Sequence, residues 1–169
     1  SKSPGSGAVF FVNVCSADSV MKEISLNRIK IDTINSDGFG GLLYLKTKGS
    51  LEKFIFTQDT SLTDTVKNVK KGGAVVFLYI EQNLDYCQIS QSKLQQYYAD
   101  SSAGGFFFIR ADTLRSFELR KNVFVNNNDG SSTPTKGGAV YLNALFIDLI
   151  NIQGNTFKGI NALKNGAGV

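Results

Sequence analysis

The chain has 169 residues, a hydrophobic fraction of 42% and a net charge of +4, enough for one domain with a sizeable core. It has no histidine and two cysteines, Cys15 and Cys87, which excludes Cys/His zinc sites and histidine-based catalytic triads. No apolar run approaches the ~18 residues a membrane helix needs, and no basic stripe or reading motif points to nucleic acid.

In chain order, one theme recurs five times. It reads Ser6-Gly7-Ala8-Val9-Phe10-Phe11, Gly40-Gly41-Leu42-Leu43-Tyr44-Leu45, Gly72-Gly73-Ala74-Val75-Val76-Phe77, Gly104-Gly105-Phe106-Phe107-Phe108-Ile109 and Gly137-Gly138-Ala139-Val140-Tyr141-Leu142. The second glycines, at 7, 41, 73, 105 and 138, are 34, 32, 32 and 33 residues apart. A fixed step of this size marks a repeat architecture, here one domain over 1–169 with repeats starting near 6, 40, 72, 104 and 137. Glycine pairs permit the tight bend before each strand.

Two places after the second glycine stand Val9, Leu43, Val75, Phe107 and Val140; four places after stand Phe11, Leu45, Phe77, Ile109 and Leu142. Period two with β-branched and aromatic residues predicts a strand with these columns facing the core. A second alternation follows in Ile24/Leu26, Phe54/Phe56, Leu84/Tyr86, Phe117/Leu119 and Ile147/Leu149, and a third, weaker one around Ile29/Ile31, Phe124 and Phe157. Turn-forming Asn, Ser and Asp close the units, the longest stretch being Asn126 to Lys136. Helical repeats of similar length need apolar spacing of three to four, and leucine-rich repeats a denser Leu framework. Three short strands per ~33 residues instead predict an all-β, right-handed parallel β-helix of about five rungs.

Gly-Gly-Ala-Val occurs at 72–75 and 137–140, and Phe124-Val125-Asn126-Asn127 fits Phe-x-x-Asn. This pairing resembles the repeats of chlamydial polymorphic outer-membrane proteins and related right-handed β-helix surface proteins. The resemblance implies an extracellular or cell-surface domain used for adhesion or coat structure. It leaves eukaryotic microbial surface proteins with similar repeats equally open.

Asn165-Gly166-Ala167-Gly168-Val169 reads as a partial sixth repeat. Uncapped solenoid ends expose unpaired strand groups. The expectation is a segment of a longer solenoid, or a subunit that stacks head to tail on copies of itself.

Enzymes on this fold line carboxylates along one sheet. Here the candidates are thin: Asp18 and Glu52 share one offset, while Asp32, Asp64 and Asp129 cluster near one turn. No catalytic residue, metal ligand or cofactor is therefore assigned. The two cysteines, two rungs apart at roughly 9–10 Å from the ~4.8 Å strand spacing, are expected not to bond to each other.

The columns one and three places after the second glycine are expected to face outward, and they are unusually apolar. From them Phe10, Tyr44, Phe106, Phe108 and Tyr141 form a candidate interface. No Asn-x-Ser/Thr sequon occurs, and the Ser/Thr/Pro loop leaves O-glycosylation open. The functional expectation is a structural or adhesive extracellular component of a fibre, coat or stalk. Its partners would be copies of itself and, as a further option, glycans. The alternatives are a carbohydrate-active enzyme, a carbohydrate-binding module, or a fragment of a longer surface protein.

Overall fold

A computed structural model describes residues 2–3, 9–29, 33–36, 39–58, 64–67, 73, 75–96, 105–126 and 138–160. Gly7, Gly72, Gly104, Gly137, Ile31, most of the 126–136 loop and the partial repeat at 165–169 lie outside these residues.

The strands are β1 (Lys2–Ser3), β2 (Phe10–Val14), β3 (Val20–Ile29), β4 (Thr33–Ser36), β5 (Leu43–Thr47), β6 (Ser50–Gln58), β7 (Asp64–Lys67), β8 (Val76–Ile80), β9 (Asn83–Ser90), β10 (Lys93–Gln96), β11 (Phe107–Arg120), β12 (Val123–Asn126), β13 (Val140–Gln153) and β14 (Thr156–Lys158). All pairings among them are parallel. Three strand segments make one turn of the chain, so the fold is an all-β parallel β-solenoid. Its first face stacks β2, β5, β8 and the leading halves of β11 and β13. The second stacks β3, β6, β9 and the trailing halves of β11 and β13. The third stacks β1, β4, β7, β10, β12 and β14.

A corner separates the first two faces in the early levels, but β11 runs straight through it. Three residues, Ile80 to Gln82, lie between Tyr79 and Asn83, opposite only Ala111 and Asp112 on β11. The corner is one residue shorter there, and the strand continues through it.

Inside, apolar residues sit directly above one another. Leu43, Val76, Phe107 and Val140 form one buried column and Phe56, Ile89 and Leu119 another. Leu94 and Phe124 fill the core from the third face. Among the described residues the buried hydrophobic set runs from Leu42 to Phe124 and adds only Ala139 and Val140 beyond. About three packed turns therefore carry the core, with an open level on either side, rather than five equivalent rungs.

The register corrects the sequence reading in two repeats. Gly40, at φ +59°, donates its N–H to the carbonyl of Gly73, at φ +63°. The first glycine of one pair is thus level with the second glycine of the next. A Cβ on Gly40 would fall 2.1 Å from Leu43 O, and one on Gly73 2.4 Å from Val76 O, so both positions require glycine. The offset moves the third repeat by one place, and the first repeat shifts likewise: Leu43 pairs with Phe10 and Val76, and Tyr44 with Phe11 and Phe77. Because strand side chains alternate, one residue reverses the face. Phe11 and Phe77 therefore lie on the outer side of the first face, Phe77 buried there beneath Phe39 and its neighbouring rings, and Val9 lies exposed before β2.

The second face corrects for another reason, a three-residue step between inward positions. Cys87, not Tyr86, stands in the inward column with Phe54 and Phe117, and Ile150, not Leu149, continues it. Both cysteines are free, Cys15 exposed and Cys87 buried.

Two-residue corners join the second and third faces. Gln91, Lys121 and Gly154 sit at φ +53°, +54° and +63°, followed by Ser92, Asn122 and Asn155. Asn122 Nδ2 donates to Ile89 O (3.0 Å) and to Asn155 Oδ1 (2.9 Å), and its Oδ1 accepts from Ser92 N (3.0 Å). Asn155 Nδ2 donates to Leu119 O (2.7 Å). This amide ladder satisfies corner groups that the sheets cannot reach.

Candidate functional site

On the outer surface of the first face, five rings form an aromatic ladder: Phe11, Tyr44, Phe77, Phe108 and Tyr141. Successive centroids lie 5.0, 5.1, 4.5 and 5.3 Å apart, and the first three pairs are within 10° of parallel. Tyr44, Phe108 and Tyr141 of the expected interface are in it. Phe106 is not: it is fully buried at the corner, in a column with Leu42, Val75 and Ala139 linked by backbone hydrogen bonds. Phe10 also leaves the set. It stands in the inward column of Leu43 and is 48% exposed because it occupies the first level.

The ladder was visible in the sequence as aromatics at steps of 33, 33, 31 and 33 residues. Aligning second glycines hid it by displacing Phe11 and Phe77. Beside it run Lys46, Tyr79 and Arg110, with the Lys46 Nζ 5.4 Å and the Arg110 guanidinium carbon 4.7 Å from the Tyr79 ring centre. Phe39 packs over Phe77 at 4.6 Å.

Stacking decides what this surface can hold. A sugar ring packs on the flat face of an aromatic. Here each inner ring has both faces against its neighbours, so only edges point outward. The rings hold adjacent levels together, each contact contributing about 0.5–1.5 kcal/mol.

The outer surface of the second face is polar and ionic. One column reads Lys22, Glu52, Asp85, Arg115 and Asp148. Lys22 pairs with Glu52, and Arg115 Nε lies 3.5 Å from Asp85 Oδ1. Asp85 Oδ1 is nonetheless enclosed without a hydrogen bond, so we take that contact as an ion pair only. In the next columns Lys53 meets Glu23 at 3.4 Å, and Glu118 accepts from Arg120 (2.9 Å) and from the Tyr86 hydroxyl (3.0 Å). Partial burial, then the Glu118 carboxylate, push the Tyr86 phenol above its ordinary range. A shallow cleft of about 280 Å³ lies nearby, lined by Thr57, Gln88, Ser90, Gln91, Arg120 and Lys121.

The thin carboxylate candidates are not brought together among the described residues. Asp18 is in the turn before β3, whereas Glu52 is on β6 opposite Lys22. Asp64 is on β7, and Asp32 and Asp129 lie outside the described residues. Among the described residues no cluster of potential metal ligands occurs, and no helix is long and apolar enough to cross a membrane.

The two end levels carry the exposed apolar surface. At the first level Val9, Phe10, Phe11 and Val20 are 48–58% exposed. At the last, Leu145, Phe146, Ile147, Leu149, Ile150, Ile152 and Phe157 are 36–74% exposed. Ile147, Ile150 and Ile152 continue the inward columns of Leu114, Phe117 and Leu119. No protein-family model, curated protein or solved structure significantly matches the chain.

Proposed function

We propose that the chain is a structural and adhesive β-solenoid that works by associating end to end with further solenoid levels, as part of an extracellular fibre, coat or surface stalk. The observation that supports this reading is the apolar last level, where core-column residues are half-exposed among the described residues. Full burial of an Ile or Phe contributes about 1.5–3 kcal/mol, so covering several half-exposed side chains favours association by several kcal/mol. Open strand edges at both described end levels add unpaired backbone groups that a further level would satisfy. The extracellular setting rests on the resemblance of the Gly-Gly-Ala-Val and Phe-x-x-Asn motifs to surface-protein repeats.

A carbohydrate-active reading has one specific foothold. Glu52 and Asp85 occupy adjacent levels of the same outer column. Each already has a cation on its other side, Lys22 and Arg115, which favours a structural ion ladder over an acid–base pair. The inner rings of the aromatic ladder offer edges rather than faces to a sugar.

Sedimentation over a wide concentration range, with negative-stain imaging, tests the proposal. Concentration-dependent rods support it. A chain that stays monomeric with native circular dichroism sinks self-association and leaves the segment of a longer solenoid as the reading.

A further inference from the structure

We infer that the last level of one copy docks on the first level of a second copy, head to tail and in the register of the existing ladders. This inference rests on the reading above and adds the partner, its polarity and the residues that set the register.

The two ends match column by column. The most informative column reads Val20, Ser50, Asn83, Thr113 and Phe146. Its inner three members are polar, as an outer surface facing water requires. Only the end members are apolar, and they are 55% and 68% exposed. In-register docking places Phe146 of one copy against Val20 of the next.

The adjacent ionic column ends in Lys22 and Asp148, opposite charges that docking brings together. The aromatic ladder ends in Phe11 and Tyr141, so docking continues the stack between copies. The neighbouring outer column ends in Asn13 and Asn143, amide against amide. Inside, Ile147, Ile150 and Ile152 meet Met21, Ile24 and Leu26. Glu23 against Leu149 is a mismatched column.

Head-to-head or tail-to-tail contacts run the strands antiparallel at the junction and lose this column-by-column pairing. A heterologous contact of this kind does not close, so it builds a filament. Five levels at ~4.8 Å give an axial repeat of roughly 24 Å.

The third face sets a condition. β1 pairs with β4 at Asn35 and Ser36. Continuing the register of β12 and β14 carries that column to Ile160 and beyond. Docking therefore displaces β1 from β4.

The test uses the full chain and the exposed pair, whose side chains face solvent beside Ser50 and Thr113 and do not enter the core. Val20→Asp alone and Phe146→Lys alone should each raise the concentration for assembly at least about tenfold, with unchanged circular dichroism. The double variant should recover assembly, because the new Asp and Lys meet across the junction. Removing Lys2 and Ser3 should leave assembly as strong or stronger. If the wild type assembles but the single variants match it, or the double variant is not rescued, the register is wrong while end-to-end association stands. Weaker assembly without Lys2 and Ser3 also overturns the register. A wild type that never assembles overturns both.

Discussion

β11 and β13 are twins in length and pairing, yet they live in different environments. Each has fourteen residues, and twelve of them pair directly with each other. β11 carries fully buried positions along its whole length, while β13 is mostly exposed beyond Leu142. Both carry apolar residues at the inward positions. The difference is that β11 has a level on either side, and β13 has one only on the β11 side among the described residues. A strand in a solenoid is buried by its neighbouring levels as much as by its own alternation, so the same substitution should have different consequences in the two.

Charge in the core is the largest contrast. Leu119→Asp should cost roughly 4 kcal/mol or more, since it buries an unpaired carboxylate between Ile89 and Ile152. Ile152→Asp, its partner on β13, should cost well under half as much in chemical denaturation of the monomer, while weakening assembly. Equal losses would show that β13 is covered in solution by something else.

Glycine at a corner gives the next contrast. Gly73→Ala meets both positive φ and the Val76 carbonyl at 2.4 Å. It should destabilise by about 2–3 kcal/mol or shift the local register. Gly154→Ala meets only Lys121 atoms at 3.7 Å and beyond, so the backbone strain alone, about 1 kcal/mol, should remain. A larger effect at Gly154 in thermal denaturation would contradict the described packing.

The amide ladder sharpens the same point. Asn122→Ala strands the N–H of Ser92 and the carbonyl of Ile89 in a buried corner, and about 1–3 kcal/mol should be lost. Asn155→Ala, half-buried at the last level where water can substitute, should cost less. Hydrogen exchange at Ser92 should accelerate in the first variant and stay near wild type in the second.

The cysteines make the smallest contrast. Cys15 should react with a thiol reagent in the native protein, and Cys87 only on unfolding. Burial pushes the Cys87 thiol far above its ordinary range, so the folded state keeps its proton where the unfolded state loses it. Its contribution to stability is complete below about pH 8.5, the ordinary thiol value, and declines as pH rises above it. Cys87→Val should remove that part of the alkaline loss. An unchanged pH profile would mean that another group governs the loss.

The sequence by itself determined the period, the strand character and the parallel solenoid, because steps near 33 residues and apolar alternation leave few other solutions. It also carried the aromatic ladder and the Asn-x-Phe pattern at Asn122 and Asn155, though neither is legible until the levels are aligned. Only the tertiary structure decided the alignment. Alternation says which residues share a side but not which side is inward, and one extra residue reverses the answer. That is why Phe77 and Phe11 turned outward, while Cys87 turned inward because two successive residues, Asp85 and Tyr86, point outward before it. The hydrogen bond from Gly40 to Gly73 fixes the level of the third repeat against the second, and it joins residues that no pattern within a single repeat brings together.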